Sequence, residues 1–511
     1  MTIPAEIFAR TNFGVLDWAI VGVYLLVSVG IGVYARSFVN TMDDFVVAKR
    51  SVRTALGIAS MSSTELGLIT VMYSAQKGFV GGFAAFHIAV VAGVVTLLVG
   101  LTGFLVVRLR AYRVLTIPEF YEKRFGRKTR ILGGCVLALA GILNMGMFLK
   151  VESMFIVAVT GLEPGATLTT VMVVLMSLAL LYTVFGGMVS DMVTDYLQFV
   201  VLAFGLLAAC WFAASEVGFD HAFQAVAVLK GEAGFNPVAA EGAFGPAYMA
   251  WMAFLGLVSC AVWPTAVARA LAADSGATVK RIYTWSSIGF LTRFLMPYFL
   301  GICALVYVTE QPDLKAVFFP ARPGTQALDN LYALPVFLSH ILPAGVIGIV
   351  VAAMLAALMS TYDSYFLTWS SVITQDVIAP LTGDRIGMRA RILITRLLMV
   401  GIGVYLVYWG LFYRGREDIW DYMAVSGAIY FTGAFAVMLG GLYWKRASST
   451  GATLAILSGC SAVLGLSPVQ DALGVRLPSA WVGLATVAAS VVVMIAGSLA
   501  FPDRPRARRR G

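Results

Sequence analysis

A chain of 511 residues that is 60% apolar and 12% charged, with a mean hydropathy of +0.87, has the composition of a polytopic membrane protein and not of a soluble enzyme. Five cysteines stand singly inside apolar runs and three histidines (His87, His221, His340) are scattered, which argues against a disulfide framework or a zinc site. The net charge of +9 invites a nucleic-acid reading, but its placement along the chain points elsewhere.

The first apolar run, 15–35, ends at Arg36 without a small-residue cleavage pattern and reads as a retained span. Further runs of spanning length lie near 54–79, 81–107, 131–160, 166–185, 189–214, 247–272, 282–308, 344–376, 391–413, 419–443, 450–467 and 478–500, giving thirteen candidate helices. An odd number puts the termini on opposite sides. Of the 36 Lys/Arg, 25 fall on the side of the C-terminal tail RPRARRR and 8 on the other, while Lys150, Arg293 and Arg396 lie within spans. The positive-inside rule then predicts an exterior N-terminus and a cytoplasmic C-terminus, in the cell's inner (plasma) membrane. The basic balance is a topology signal, so the bilayer and a small solute are the expected partners. Neither nucleic acid nor an obligatory protein partner is called for.

No linker sets a soluble domain apart, and 1–511 reads as one transmembrane domain. After an extra helix at 15–35, ten helices divide into sets of five, 54–215 and 247–443. Two C-terminal helices (450–500) and a basic tail (501–511) follow. Five is odd, so the second set inserts inverted, a recurrent transporter architecture. The first helix of each set is interrupted by poor helix formers: IASMSSTELG (Ile58–Gly67) and SCAVWPTAV (Ser259–Val267), the latter with Pro264 inside. Ordinary kinking accounts for one such break; two at matching positions point to a midplane site.

The most informative stretch is Ala344–Pro380. Fifteen apolar or small residues lead into MSTYDSY at about mid-membrane depth. On a helix Ala357, Ser360, Thr361 and Ser364 share one narrow face, with Asp363 on its flank. The hydroxyls alone are as well explained by bonds back to their own helix. With a carboxylate in the same turn, an oxygen site for a small hard cation is the better reading, because such groups are costly in hydrocarbon without a partner.

Four stretches resemble the sodium:solute symporter family, whose members include sodium/proline, sodium/galactose and sodium/glucose symporters. These are TMDDFVVAKRSV (Thr41–Val52), LTIPEFYEKRFGRKTR (Leu115–Arg130), YTVFGGMVSDMVTDYLQ (Tyr182–Gln198) and ALMSTYDS, the last most like the proline branch. The resemblance implies an all-α LeuT-type 5+5 inverted-repeat core and sodium-driven uptake of a small solute. It also implies a sodium site from carbonyls at Ala59 and Ser62, the Ala357 carbonyl, and the Ser360 and Thr361 hydroxyls. Asp195 matches the signature aspartate. In sialic acid symporters this aspartate and nearby hydroxyls hold a second sodium, which maps to Ser360, Asp363 and Ser364 here. Asp363 stands where the family has Ser or Cys, so one sodium, two, or a proton site at Asp363 or Asp195 all remain open.

For the substrate, the stretch Gly256–Trp263 contains no Asn or Gln, which disfavours a sugar site of the galactose type. Lys150 either snorkels to the surface or meets a substrate carboxylate, the role relatives give a basic residue in that helix. Glu65, Tyr73, Gln76, Phe86, Trp263 and Tyr430 are candidates for the cavity wall. The expectation is a sodium-coupled importer of a carboxylate-bearing solute, an amino acid or a monocarboxylate. Proton coupling, a neutral solute such as a sugar, and a solute sensor that does not transport are the alternatives. No His/Asp/Glu/Cys constellation supports an enzyme.

Overall fold

A computed structural model describes residues 5–503 except 36–49, 164, 185–187, 240, 322–326, 414 and 416. Most of the motif Thr41–Val52 (residues 41–49) and part of Tyr182–Gln198 therefore lie outside the described residues. The apolar helices are numbered here α1 (Val15–Ala35), α2 (Thr54–Glu65), α3 (Leu68–Gly81), α4 (Phe86–Thr102), α5 (Arg127–Met145), α6 (Phe148–Val159), α7 (Ala166–Thr183) and α8 (Met188–Val217). They continue as α9 (Pro246–Ala261), α10 (Pro264–Ala272), α11 (Gly276–Glu310), α12 (Val346–Val372), α13 (Met388–Phe412), α14 (Ile419–Tyr443), α15 (Ser449–Gly459) and α16 (Ser479–Ala500).

Each of the thirteen predicted stretches is helical. Among the described residues nine helices are long and apolar enough to cross a membrane, or ten with the bent pair Ser449–Gly465 and Ser467–Leu473. The difference from thirteen arises where breaks cut the helices, as α2 shows with its 12 residues. It also arises where the apolar windows are short, as at Val15–Ser28 and Thr167–Leu181. Sheet is absent from the described residues apart from an isolated bridge, Val52 to Ala273.

With nearly every surface apolar, helices gain little from the hydrophobic effect against one another, and close packing decides their neighbours. The long helix α11 is the spine, lying against α4, α3 and α2. It crosses α3 backbone to backbone: a Cβ on Gly301 would come within 2.0 Å of the Ala75 carbonyl oxygen, and one on Gly78 within 2.2 Å of that of Tyr298. The second central helix, α12, is buried from Ile347 to Val372 along nearly its whole length and packs on α8, α1 and α2. Beyond Val372 it runs into a π-helical segment, Ile373–Ile378. Asp17 of α1 caps its start, Oδ1 accepting from the backbone N–H of Gly345 (2.7 Å) and Gly348 (2.8 Å).

The loop motif Leu115–Arg130 folds into a helix, Ile117–Phe125, that latches one end of the bundle. Thr116 caps it, accepting from the Glu119 N–H, and the Glu119 carboxylate reaches back to the N–H of Leu115, the residue before the cap. Arg124 clasps the carbonyls of Trp444, Lys445 and Ala447, and Arg130 binds Asp376 (2.8 Å) and Glu122 (2.5 Å).

Candidate functional site

Two helices break where the sequence predicts. Between α2 and α3 the chain leaves helical geometry at Leu66 and Gly67. The Leu66 N–H turns to the Ser63 carbonyl (3.1 Å), which frees the Ser62 carbonyl from its usual i+4 donor. Gly67 is needed because a Cβ there would lie 2.4 Å from the Thr361 hydroxyl of α12. Between α9 and α10 the break is at Val262 and Trp263, and Pro264, lacking an N–H, opens the new helix.

The breaks face a cavity with about 860 Å³ of empty space, open solvent at its mouth included. Its walls are aromatic: Tyr73, Phe294 and Trp420 pack together on one side (Tyr73–Trp420 centroids 4.6 Å apart), with Trp263, Tyr365 and Phe431 on another. The Trp263 indole N–H donates to the Tyr365 hydroxyl (3.1 Å).

Its polar groups are few. Glu65, the last residue of α2, accepts from the Thr265 hydroxyl (2.9 Å) and from Arg293 Nη1 (2.8 Å), which also reaches the Glu65 carbonyl (3.1 Å). Both charges are buried, and Phe290 and Phe294 flank the guanidinium, their centroids 4.0 and 4.5 Å away. All of these bonds use Nη1. Arg293 Nε is buried with no hydrogen-bond partner, and the edge formed by Nε and Nη2 is left unused. On the opposite wall Asn144 donates to the Met423 carbonyl (2.8 Å) and the Ser426 hydroxyl (3.0 Å), while its Oδ1 has no partner. Arg293 and Asn144 both line the cavity, and an orphaned donor on one and an orphaned acceptor on the other are what a ligand carrying an anion and a donor would complete.

Behind this wall α2 and α12 pack face to face with hydroxyls between them. Ser63 donates to Ser360 (2.9 Å), and Thr361 bonds back to the Ala357 carbonyl (3.0 Å), the local alternative foreseen for a membrane hydroxyl. Ala59, Ser62, Ala357, Ser360 and Thr361 are all buried on these two helices, and Thr361 also lines the cavity.

Asp195 of α8 is fully buried against the same hydroxyls, accepting from Ser60 (2.6 Å), Thr64 (3.3 Å) and Ser360. Sequence reasoning missed the centre of this cluster. Arg269 of α10, 1% exposed, drives its guanidinium into it, with Nη2 3.1 Å from Asp195 Oδ2 and 2.7 Å from the Ser364 hydroxyl. Asp195, Ser360 and Ser364 do meet, therefore, but with a guanidinium among them. Asp363 is turned to another interface, where it accepts from the Thr183 hydroxyl of α7. The available signal was a charge within an apolar span; which partner it met was not written in the sequence.

Of the remaining candidates, Glu65, Tyr73 and Trp263 line the cavity and Gln76, Phe86, Lys150 and Tyr430 do not. Gln76 donates to Asn330 (2.6 Å) and accepts from the Ile419 N–H (3.3 Å), and its chain neighbour Lys77 forms a half-hidden bridge to Asp418 (2.6 Å) and Asp421 (3.3 Å) that ties α3 to α14. Phe86 packs on Phe83 and Tyr298. Lys150 is half-buried, its stem against Gly410 of α13, and the cation of the cavity is Arg293. Tyr430 meets the Tyr121 hydroxyl at 3.2 Å. No cluster of three or more His, Cys, Asp or Glu able to hold a metal occurs among the described residues.

Comparison with known proteins agrees with this fold. The sequence profile of the sodium:solute symporter family matches residues 19–459. The sodium/glucose cotransporter of Vibrio parahaemolyticus is 24% identical over 478 residues (87% of this chain, 83% of that one), and the sodium/sialic acid symporter of Proteus mirabilis 23% over 506 (96% of each). A substrate-bound, outward-open structure of a Na⁺-coupled sialic acid symporter superposes with a TM-score of 0.80 at 20% identity, over 96% of this chain and 99% of that one. The fold is thus the LeuT-type arrangement that the resemblance implied.

Proposed function

The chain belongs to the sodium:solute symporter family, multi-pass membrane transporters and not enzymes, and on that premise we propose that it imports a small solute bearing a carboxylate together with one sodium ion. The observation that carries the substrate reading is the unused Nε–Nη2 edge of Arg293 in the cavity wall. That edge matches a carboxylate with two parallel charge-assisted bonds, and a buried donor left orphaned costs the protein free energy that such a ligand returns. Asn144 Oδ1 across the cavity suits an ammonium or hydroxyl on the same solute, which favours an amino or hydroxy acid. Glu65 neutralises Arg293 between cycles and holds its plane, while the aromatic walls exclude water.

Sodium, as cargo, would sit among the Ala59, Ser62 and Ala357 carbonyls and the Ser360 and Thr361 hydroxyls. The freed Ser62 carbonyl supports this set, since neutral oxygens replace part of the hydration shell without trapping the ion. Thr361 touches both this set and the cavity, so occupying either favours the same packing of α12 on the first break. Arg269 already supplies the positive charge beside Asp195, which argues for a single ion. The excess of basic residues on the tail's side supports an N-terminus outside and a C-terminus in the cytoplasm of the plasma membrane. In that orientation the Lys77 bridge roofs the cavity, and 54–215 and 247–443 rock as inverted halves.

Proteoliposomes with an inward sodium gradient, offered amino acids, hydroxy acids, monocarboxylates and sugars, test the reading. A carboxylate solute should enter with sodium while its amide does not. Arg293→Gln should raise the half-saturating solute concentration about 10- to 150-fold, the equivalent of about 1.5–3 kcal/mol for a charge-assisted bond. Equal uptake of acid and amide by the native protein would refute it.

A further inference from the structure

Beside the first break lies a carboxylate that neither the sodium set nor the cavity uses. Glu152 of α6 is 0% exposed. Its Oε1 accepts from the backbone N–H of Ile69 (3.3 Å), in the first turn of α3, and its Oε2 has no partner. The Tyr362 hydroxyl of α12 is buried beside it and faces this carboxyl group, with no other hydrogen-bond partner. Ionisable groups on the elements packed around α6 are Tyr73 and Lys77 of α3, Tyr332, His340, Tyr362, Asp363 and Tyr365, and Arg389, Arg391, Arg396, Tyr405 and Tyr408 of α13, with Lys150 on α6 itself. Lys77 is committed to Asp418 and Asp421. Among the described residues Glu152 forms no ion pair, and the positive end of α3 and the Tyr362 hydroxyl are its polar neighbours.

An anion so placed costs several kcal/mol, which one N–H and a helix end do not offset. A carboxylic acid avoids the cost: the proton on Oε2 becomes a donor, and the Tyr362 oxygen beside it can accept it. A sodium ion fits poorly, needing several oxygens where Tyr362 offers one. The Ile69 contact makes this group report on the hinge. Ile69 lines the cavity, Gly67 two residues earlier rests on Thr361, and any swing of α3 relative to α2 must break or remake the bond to Oε1.

We propose that Glu152 is a proton-binding site of the transport cycle, protonated in the arrangement seen here and releasing its proton to cavity water when the hinge at Leu66–Gly67 rearranges around a bound sodium ion. The proposal goes beyond symport of sodium with a carboxylate and stands on other residues. A sodium ion beside the break is drawn to an ionised Glu152 and not to the neutral acid, so sodium and the proton each weaken the binding of the other and the linkage is reciprocal.

The test needs no solute. Purified protein is titrated with sodium chloride at pH values from about 5.5 to 8.5, following tryptophan fluorescence, since Trp263 and Trp420 line the cavity, with a pH dye in parallel. The half-saturating sodium concentration of the native protein should rise by at least about fivefold toward the acid end, with proton release on sodium binding. Glu152→Gln, which keeps the neutral shape, should bind sodium with no such pH dependence and release no proton. A merely structural Glu152 would leave the pH dependence in place in the variant, overturning the proposal. Should Glu152→Gln fail to fold, Tyr362→Phe must still move the pH at which sodium affinity changes, and a native protein whose sodium affinity ignores pH refutes the site outright. Neither outcome touches the acid-against-amide uptake test.

Discussion

Removing Arg269 should change how many sodium ions the transporter responds to. Its Nη2 lies 3.1 Å from Asp195 Oδ2, with exposures of 1% and 0% for the two side chains. At an effective dielectric constant of about 20, that separation corresponds to an attraction of about 5 kcal/mol. Taking the guanidinium away strands a buried carboxylate, at a cost of about 3–5 kcal/mol. What Arg269→Ala leaves around the vacated space is the Asp195 carboxylate with the hydroxyls of Ser60, Thr64, Ser360 and Ser364, an oxygen shell able to take a small cation. The variant should melt well below the native protein in choline chloride and regain much of the difference in sodium chloride. Its uptake should rise with sodium with a Hill coefficient above one, where the native protein gives about one. The measurements are melting curves of purified protein in the two salts and initial uptake rates in proteoliposomes over a range of sodium concentrations. A native Hill coefficient near two that Asp195→Asn lowers to one would refute the reasoning, for it would mean that sodium and not Arg269 neutralises Asp195 during transport.

Replacing both Ser360 and Thr361 by Ala should raise the half-saturating sodium concentration tenfold or more, since each lost oxygen costs the ion roughly 1–3 kcal/mol in a dry site; unchanged sodium dependence in uptake assays would remove these residues from the ion site. Lys77→Met should speed solute release more than it slows binding, because the bridge to Asp418 and Asp421 holds α3 against α14 without touching the cavity. Each bond to a charged partner is worth about 1.5–3 kcal/mol, so stopped-flow release of bound solute should be at least several-fold faster, and an unaltered release rate would show that the bridge is not a roof.

The sequence by itself determined the elements and where two of them break. Apolar length announces a membrane helix because lipid leaves the backbone no partner but itself, and all thirteen predicted stretches are helical. Poor helix formers at Ile58–Gly67 and Ser259–Val267 interrupt their helices whatever packs around them, and the small-and-polar face of 357–364 is a property of helical spacing alone. Glu65, Tyr73 and Trp263 reached the cavity because they stand at or near those breaks.

Tertiary structure decided the electrostatics. Whether a charge inside a span meets a counter-charge, a ligand or nothing depends on residues far away in the chain: Arg269 finds Asp195 of α8, and Arg293 finds Glu65 at the end of α2. Local pattern carries no trace of such pairings. For the same reason Lys150 and Arg293 look alike in the sequence, each a cation in an apolar run. Only the rotation of α11 about its own axis, set by glycine contacts with α3, turns Arg293 into the cavity, while α6 turns Lys150 toward α13. Asp363 is turned away from Asp195 by the same kind of choice, its carboxylate given to Thr183 because α7 is the helix that α12 presents it to. Helical periodicity says which residues share a face, and the identity of the neighbouring face comes from how the whole bundle packs.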